Sequence, residues 1–142
     1  MTRIAWFSPL PSSSASLPCH RTALLARLKD RYTIDRYIGT APGQLHNVPP
    51  RTFSAHDFVW KQLQDPYDLT VYDVADSPRH DFVWPYLVRY PGLVVLHDER
   101  LHRSRARILF AQARGDAYHA EFHYNHPEAN PGRLPDLCLA IR

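Results

Sequence analysis

His97 and Asp98 close the stretch "PGLVVLHD", where an imidazole and a carboxylate follow four consecutive apolar residues. A histidine at the end of a buried strand can orient a hydroxyl or phosphate, or take a proton, because its charge changes near neutral pH. The same ring could equally cap the strand end through hydrogen bonds. His119, His123 and His126 stand at i, i+4 and i+7, a spacing that could bring three imidazoles to a zinc ion. No glutamate fills the HExxH position, and Pro127 ends the helix at the third histidine, so a solvated helix face is preferred and no metal is expected. Arg100, Arg103 and Arg107 also share a helix face. They could meet anionic lipid head groups, as peripheral membrane contacts, or phosphorylated acceptors; solvation is the simpler reading. Ser8 has no Gly-x-Ser-x-Gly context, which argues against a hydrolase elbow. Cys19 and Cys138 lack metal-type spacing and are read as free thiols.

These groups need a frame. Ile4 to Phe7 is a short apolar run ending at Ser8-Pro9, a buried first strand. A loop rich in Ser and Pro follows. "HRTALLARLKDRY" is an amphipathic helix, with Leu24, Leu25 and Leu28 inward and Arg21, Arg27 and Lys29 outward. "TIDRYIG" alternates Ile34 and Ile38 with polar residues, the pattern of a strand near a sheet edge. Residues 39–53 carry two glycines and three prolines and read as a connector.

The pentapeptide His-Asp-Phe-Val-Trp then occurs twice, at residues 56–60 and 80–84, 24 residues apart. Ser54 can cap the first helix. Ser77-Pro78 opens the second with a cap residue and a proline at the first helical position. Asp57 and Asp81 lie where the helix dipole favours a negative charge. Phe, Val and Trp supply the buried stripe, with Trp60 and Trp84 read as core. Pro85 inside the second helix predicts a kink. "YDLTVYDV" and "PGLVVLHD" are the strands that follow. Two helix-plus-strand units in succession imply a parallel sheet with right-handed crossovers; two copies are too few for a solenoid. The same packing requirement met twice explains the recurrence. Two further helical segments follow, broken at Gly115-Asp116, and the tail ends in an apolar patch.

The expectation is therefore an α/β fold: one three-layer, Rossmann-like domain over residues 1–142, with a mostly parallel sheet of about four strands. Ligands of such sheets bind beyond the carboxyl ends of the strands, at the switch in strand order. The first and fourth predicted strands should flank that switch, so the serine-rich loop should face His97 across a crevice.

Length and composition limit the function classes. The chain has 142 residues, 44% of them hydrophobic and 22% charged, ordinary values for one globular domain. There is no run suited to a membrane span and no basic-then-apolar leader, so a soluble cytoplasmic protein is expected. The net charge of +3 comes from 15 Arg and 2 Lys against 14 acidic residues. With no long basic run and no RNA-binding aromatic signature, nucleic acid is not the expected partner.

Residues 67–102, "YDLTVYDVADSPRHDFVWPYLVRYPGLVVLHDERLH", resemble the N-terminal domain of retaining GT-B glycosyltransferases of the glycosyltransferase-4 type. The "VRYPGLVVLHDERLH" portion is the more specific part. "RIAWFSPLP", "YTID" and "ARGDAYHAEFHY" fit as well. The resemblance implies an acceptor-side domain that works with a second, donor-binding domain and transfers a sugar from a nucleotide-sugar donor to a saccharide or other hydroxyl acceptor. No cofactor is implied, and usually no metal. By motif, His97 would be the catalytic-centre residue facing the donor sugar, with Asp98 and His102 beside it. Ser77 and His80 would line the acceptor side, and Ser14 and Ala15 would fall in the loop that approaches the donor diphosphate. Ala15 stands where that loop usually has glycine, and its Cβ would crowd the phosphates. No donor-binding domain is expected within these residues, so the chain alone is expected to be inactive, completed at most by a separate donor-domain chain. The alternative is a non-catalytic, Rossmann-like domain that binds a saccharide or a protein. For that alternative an exposed apolar strip should run along the domain edge.

Overall fold

The computed structural model describes residues 1–10, 20–40, 45 and 47–128. The order of elements is β1 (Arg3–Phe7), α1 (His20–Leu28), β2 (Thr33–Ile38), β3 (Thr52–Ser54), α2 (Phe58–Gln64), β4 (Leu69–Val74), α3 (Trp84–Arg89), β5 (Leu93–Leu96), α4 (His102–Ala111) and α5 (Gly115–Asn125). A 3-10 turn precedes α2 at Ala55–Asp57, and a longer one precedes α3 at Pro78–Val83. The strands form one parallel sheet in the order β3-β2-β1-β4-β5.

Alternation along the strands builds two cores. Ile4, Trp6 and Val71 face Leu25 of α1 on one side. Ala5, Phe7, Tyr37, Tyr72 and Val74 face Phe58 and Val83 on the other. Helices thus cover both faces, the three-layer Rossmann-like arrangement expected from the sequence. The second core is aromatic: Phe58 meets Phe7 edge-on at 4.9 Å and Tyr37 at 5.3 Å between ring centroids. The Tyr67 hydroxyl donates to buried Asp35 at 2.6 Å, and Arg51 pairs with the same carboxylate at 2.6 Å.

Several expectations need correction. The sheet has five strands, because Thr52–Ser54 pairs with β2 inside the predicted connector; three residues are too few to show alternation. β2 is consequently an interior strand, and its Asp35 is 1% exposed. The strand beside β1 is Leu69–Val74, not Leu93–Leu96, which lies one strand further out. The crossover from β3 passes over two strands to reach that place, a jump that local pattern does not encode. Pro85 does not kink a helix interior. It stands in the first turn of α3, where its missing N–H costs nothing. The helical break falls at Ala113 (φ 55°) rather than at Gly115. The Arg114 N–H meets Leu109 O at 2.8 Å and the Ala113 N–H meets Phe110 O at 3.0 Å, which closes α4 as a Schellman cap. Trp60 is 64% exposed and Val59 36% exposed, so neither is core. Trp84 is half-buried instead, its indole N–H donating to Ser104 Oγ at 2.9 Å. Leu24, read as inward, is 38% exposed.

β5 is an open edge. Leu93 and Leu96 are each 54% exposed and Val94 is 41% exposed, an apolar strip of the kind the binding reading requires. Gly92 leads into this strand because a Cβ there would run into the Thr70 carbonyl oxygen of β4.

Candidate functional site

The switch in strand order lies between β1 and β4, whose connections leave in opposite directions. Asp73, next to last in β4, is 1% exposed. A lone buried carboxylate is costly, and Asp73 is compensated twice. Arg21, in the first turn of α1, reaches Oδ2 at 3.1 Å. His97 Nε2 lies 3.3 Å from Oδ1, long for a hydrogen bond. The His97 backbone extends the ladder one residue beyond β5, its N–H meeting Val74 O at 2.9 Å. The ring is thereby fixed at the carboxyl edge of the sheet, while its side chain stays 44% exposed.

His80 completes the cluster from the second 3-10 turn. Its ring centroid lies 6.4 Å from that of His97. Its Nδ1 is buried without a hydrogen-bond partner among the described residues. Burial lowers the pKa of His80 first, and the Arg21 charge adds to that, against the opposing pull of Asp73. Arg21 also bears on Arg36 of β2, whose pKa is lowered by burial and then by this neighbour.

The arrangement has a plain chemical reading. If Nε2 carries the proton toward Asp73, Nδ1 of His97 faces outward as an acceptor, the tautomer being assigned from the network. Arg21 shares the Asp73 carboxylate with the imidazole. Such a ring accepts a hydrogen bond from a substrate hydroxyl or removes its proton. At the carboxyl ends of β1 and β2, Leu10, Gly39, Thr40, Pro78, Arg79 and Phe82 line a groove of about 270 Å³, partly built by the 3-10 turn that carries His80. Arg79 donates to the Leu10 carbonyl and ties the 3-10 turn to the end of β1.

The sequence-derived site residues divide accordingly. His97 and His80 come together at the switch point. Ser77 caps the 3-10 turn, its hydroxyl accepting from the Arg79 N–H at 3.4 Å. Asp98 holds the loop after β4 by accepting from the Asp76 N–H at 2.7 Å. His102 opens α4 and lines a different groove of about 810 Å³, shared with Leu101, Arg105, Tyr118 and Phe122. Ser14 and Ala15 lie outside the described residues, as do Cys19 and Cys138.

Arg21 is the site residue that the sequence pattern does not mark, and Asp73 is marked only by its place at a strand end. Arg21 was expected to point outward, but its side chain is 12% exposed in the ion pair. The available signal was Asp73 itself, an ionisable residue inside the apolar run "LTVYDVA". Of the arginines on α4, Arg107 is not simply solvated: it reaches Asp81 at 3.1 Å. Arg100 precedes the helix. Among the described residues no group of three or more His, Cys, Asp or Glu could hold a metal ion. His126 packs on Phe122 and His119 lies edge-on to Phe110. Among the described residues, no helix is long and apolar enough to cross a membrane. No family model, curated protein or solved structure matches the chain.

Proposed function

We propose that this chain is the acceptor-side domain of a retaining glycosyltransferase, acting with a donor-binding domain on a nucleotide sugar and a hydroxyl acceptor. The observation that carries the reading is the Asp73-held imidazole of His97, half-exposed beside the switch point. A sugar presents hydroxyls, and a half-exposed imidazole can exchange a hydrogen bond with one. The groove lined by Arg79 and Phe82, on the 3-10 turn that carries His80, offers the acceptor a place. Ser77 and Asp98 then act through the loops they hold rather than by touching substrate. His102 stands apart from the reacting centre.

The test is sugar transfer by the chain purified from its own cells together with whatever domain completes it, assayed over a panel of nucleotide sugars. His97→Ala is expected to reduce transfer about 100-fold or more, with the anomeric configuration retained in the wild-type product. Unchanged transfer in the variant removes His97 from the chemistry, and no transfer from any donor removes the proposal. The exposed strip at β5 favours a second reading, a non-catalytic domain that binds a saccharide or a protein. Saccharide binding without transfer, lost in His97→Ala, is its expected outcome.

A further inference from the structure

β5 has the composition of an interior strand and the position of an edge. Leu93, Val94, Val95 and Leu96 are apolar on both faces, with no lysine, proline or bulge to blunt the open side. Leu93 pairs with Val71 and shares its face; Val94 and Leu96 pair with Tyr72 and Val74 and share theirs. Leu93, Val94 and Leu96 are exposed, so apolar surface is open on both sides of the sheet at once. A helix covers only one side, whereas a strand added at the edge covers both, because its own side chains alternate. The backbone is set for such a strand. The His97 N–H turns inward to Val74 O. Main-chain groups alternate in direction along a strand, so those of Val94 and Leu96 turn to the open edge.

β5 is complementary to itself. In an antiparallel pair about a two-fold axis at Val95, Val94 of each copy lies opposite Leu96 of the other. The outward N–H and C=O groups of these residues then find partners in both strands. Val94 and Leu96 of the two copies meet on the face that Tyr86 and Leu87 of α3 help to cover, and the two Val95 side chains meet on the other face. The strand ends agree in charge. The chain enters β5 past exposed Arg89 and leaves it past exposed Asp98 and Glu99, with Arg100 beyond. Neither Arg89 nor Glu99 makes an ion pair among the described residues. Antiparallel pairing brings the basic entry of each copy to the acidic exit of the other, whereas parallel pairing sets like ends together. The opposite edge of the sheet does not compete, because β3 has three residues and its Thr52 and Ser54 are buried. Pairing through β5 therefore closes at two copies. We propose that a second copy of this chain pairs antiparallel along β5, edge to edge, joining two five-stranded sheets into one. The same register sets Leu93 of each copy opposite His97 of the other, so the pair adds an apolar side chain beside each switch point. The proposal does not rest on the glycosyltransferase reading, and its failure leaves that reading as it stands.

Light scattering of the full chain over a concentration series, with residue-resolved amide exchange on the same samples, tests this. The mass is expected to rise from that of one chain to twice that value and no further. The amides of Val94 and Leu96 should gain protection in step with it, while those of Val95 and His97, bonded to β4, are protected at every dilution. Val94→Lys puts a charge at the junction on a side chain that is exposed in the single chain, and is expected to raise the dissociation constant at least about tenfold. A chain that stays single at every concentration overturns the proposal. So does protection of Val94 and Leu96 that is independent of concentration, which would put another part of the same chain on the edge. A dimer that Val94→Lys leaves as tight as before overturns it as well, because the contact then lies elsewhere. Charge exchange covers the case in which Val94→Lys fails to fold. Glu99→Arg is expected to weaken the dimer and Arg89→Glu, added to it, to restore it; a dimer indifferent to both overturns the antiparallel pairing.

Discussion

The two copies of His-Asp-Phe-Val-Trp fold into the same kind of element and turn different residues inward. In the first copy, Ala55 and Phe58 are buried, while His56 faces solvent and Trp60 is exposed. In the second, His80 is half-buried and Val83 is 1% exposed, while Phe82 is only partly covered. The two copies also begin differently. Ser54 caps a 3-10 turn of three residues, Ala55–Asp57, whereas Ser77 caps one of six, Pro78–Val83. In a 3-10 turn residues i and i+3 eclipse, and one residue is a rotation of about 120°. The inward pair is Ala55 and Phe58 in the first copy and His80 and Val83 in the second, one position further along the pentapeptide. The longer turn keeps His80 and Val83 on one face, and the His80 ring lies 6.4 Å from that of His97.

The sharpest way to break this comparison is to truncate the same ring in each copy. Phe58 is fully buried among Phe7, Tyr37 and Tyr90. Phe58→Ala is expected to cost about 3–5 kcal/mol in urea unfolding. Phe82→Ala should cost about half as much, in proportion to its partial burial. Equal costs would mean that the two copies face the core alike.

The aspartates should differ next. Asp81 accepts from Ser104 Oγ at 2.6 Å and from Arg107 Nε at 3.1 Å, so it clamps α4 onto the second copy. Asp81→Ala is expected to lose about 1–3 kcal/mol, because it strands a hydroxyl and a guanidinium that are largely covered. Asp57 makes no side-chain cap bond, and Asp57→Ala should cost about 0.5 kcal/mol through the helix dipole alone. The tryptophans follow with a smaller contrast. Trp84→Phe gives up the bond to Ser104, about 1 kcal/mol, whereas Trp60→Phe should stay within about 0.5 kcal/mol of wild type. Both pairs are read by the same urea titration.

The comparison also marks how far the sequence could be read. Apolar runs and serine caps were legible because they are local: four of the strands, the parallel crossovers and both cap residues followed from them. The facing of each copy was not, because it depends on how long the 3-10 turn runs before the α-helix begins. Trp60 was assigned to the core on residue type, although its neighbours could not say which way the turn had rotated. The site was half legible. His97 followed from its place after an apolar run, but Arg21 and Asp73 are 52 residues apart and meet only through the fold. β3 was hidden by its length, and the place of β4 beside β1 by a crossover that leaves no local trace.

The smallest expected difference is in titration, and it bears most directly on the site. His80 faces Arg21, Arg79 and His97, with Asp73 as the opposing charge, and its pKa lies below the ordinary histidine value through burial first. The unfolded chain therefore binds a proton at His80 more readily than the folded one does. Stability from this group is complete above the unfolded value of about 6.5. It falls as pH drops through that value toward the lowered folded one, and levels off below it. Urea midpoints taken between pH 7.5 and pH 5 should decline on the acid side, and His80→Gln should flatten that decline. In an NMR titration the His80 ring should reach its midpoint below about 6.5. A His80 midpoint above that value would mean that the imidazole does not turn inward, and the rotation between the two copies would lose its functional consequence.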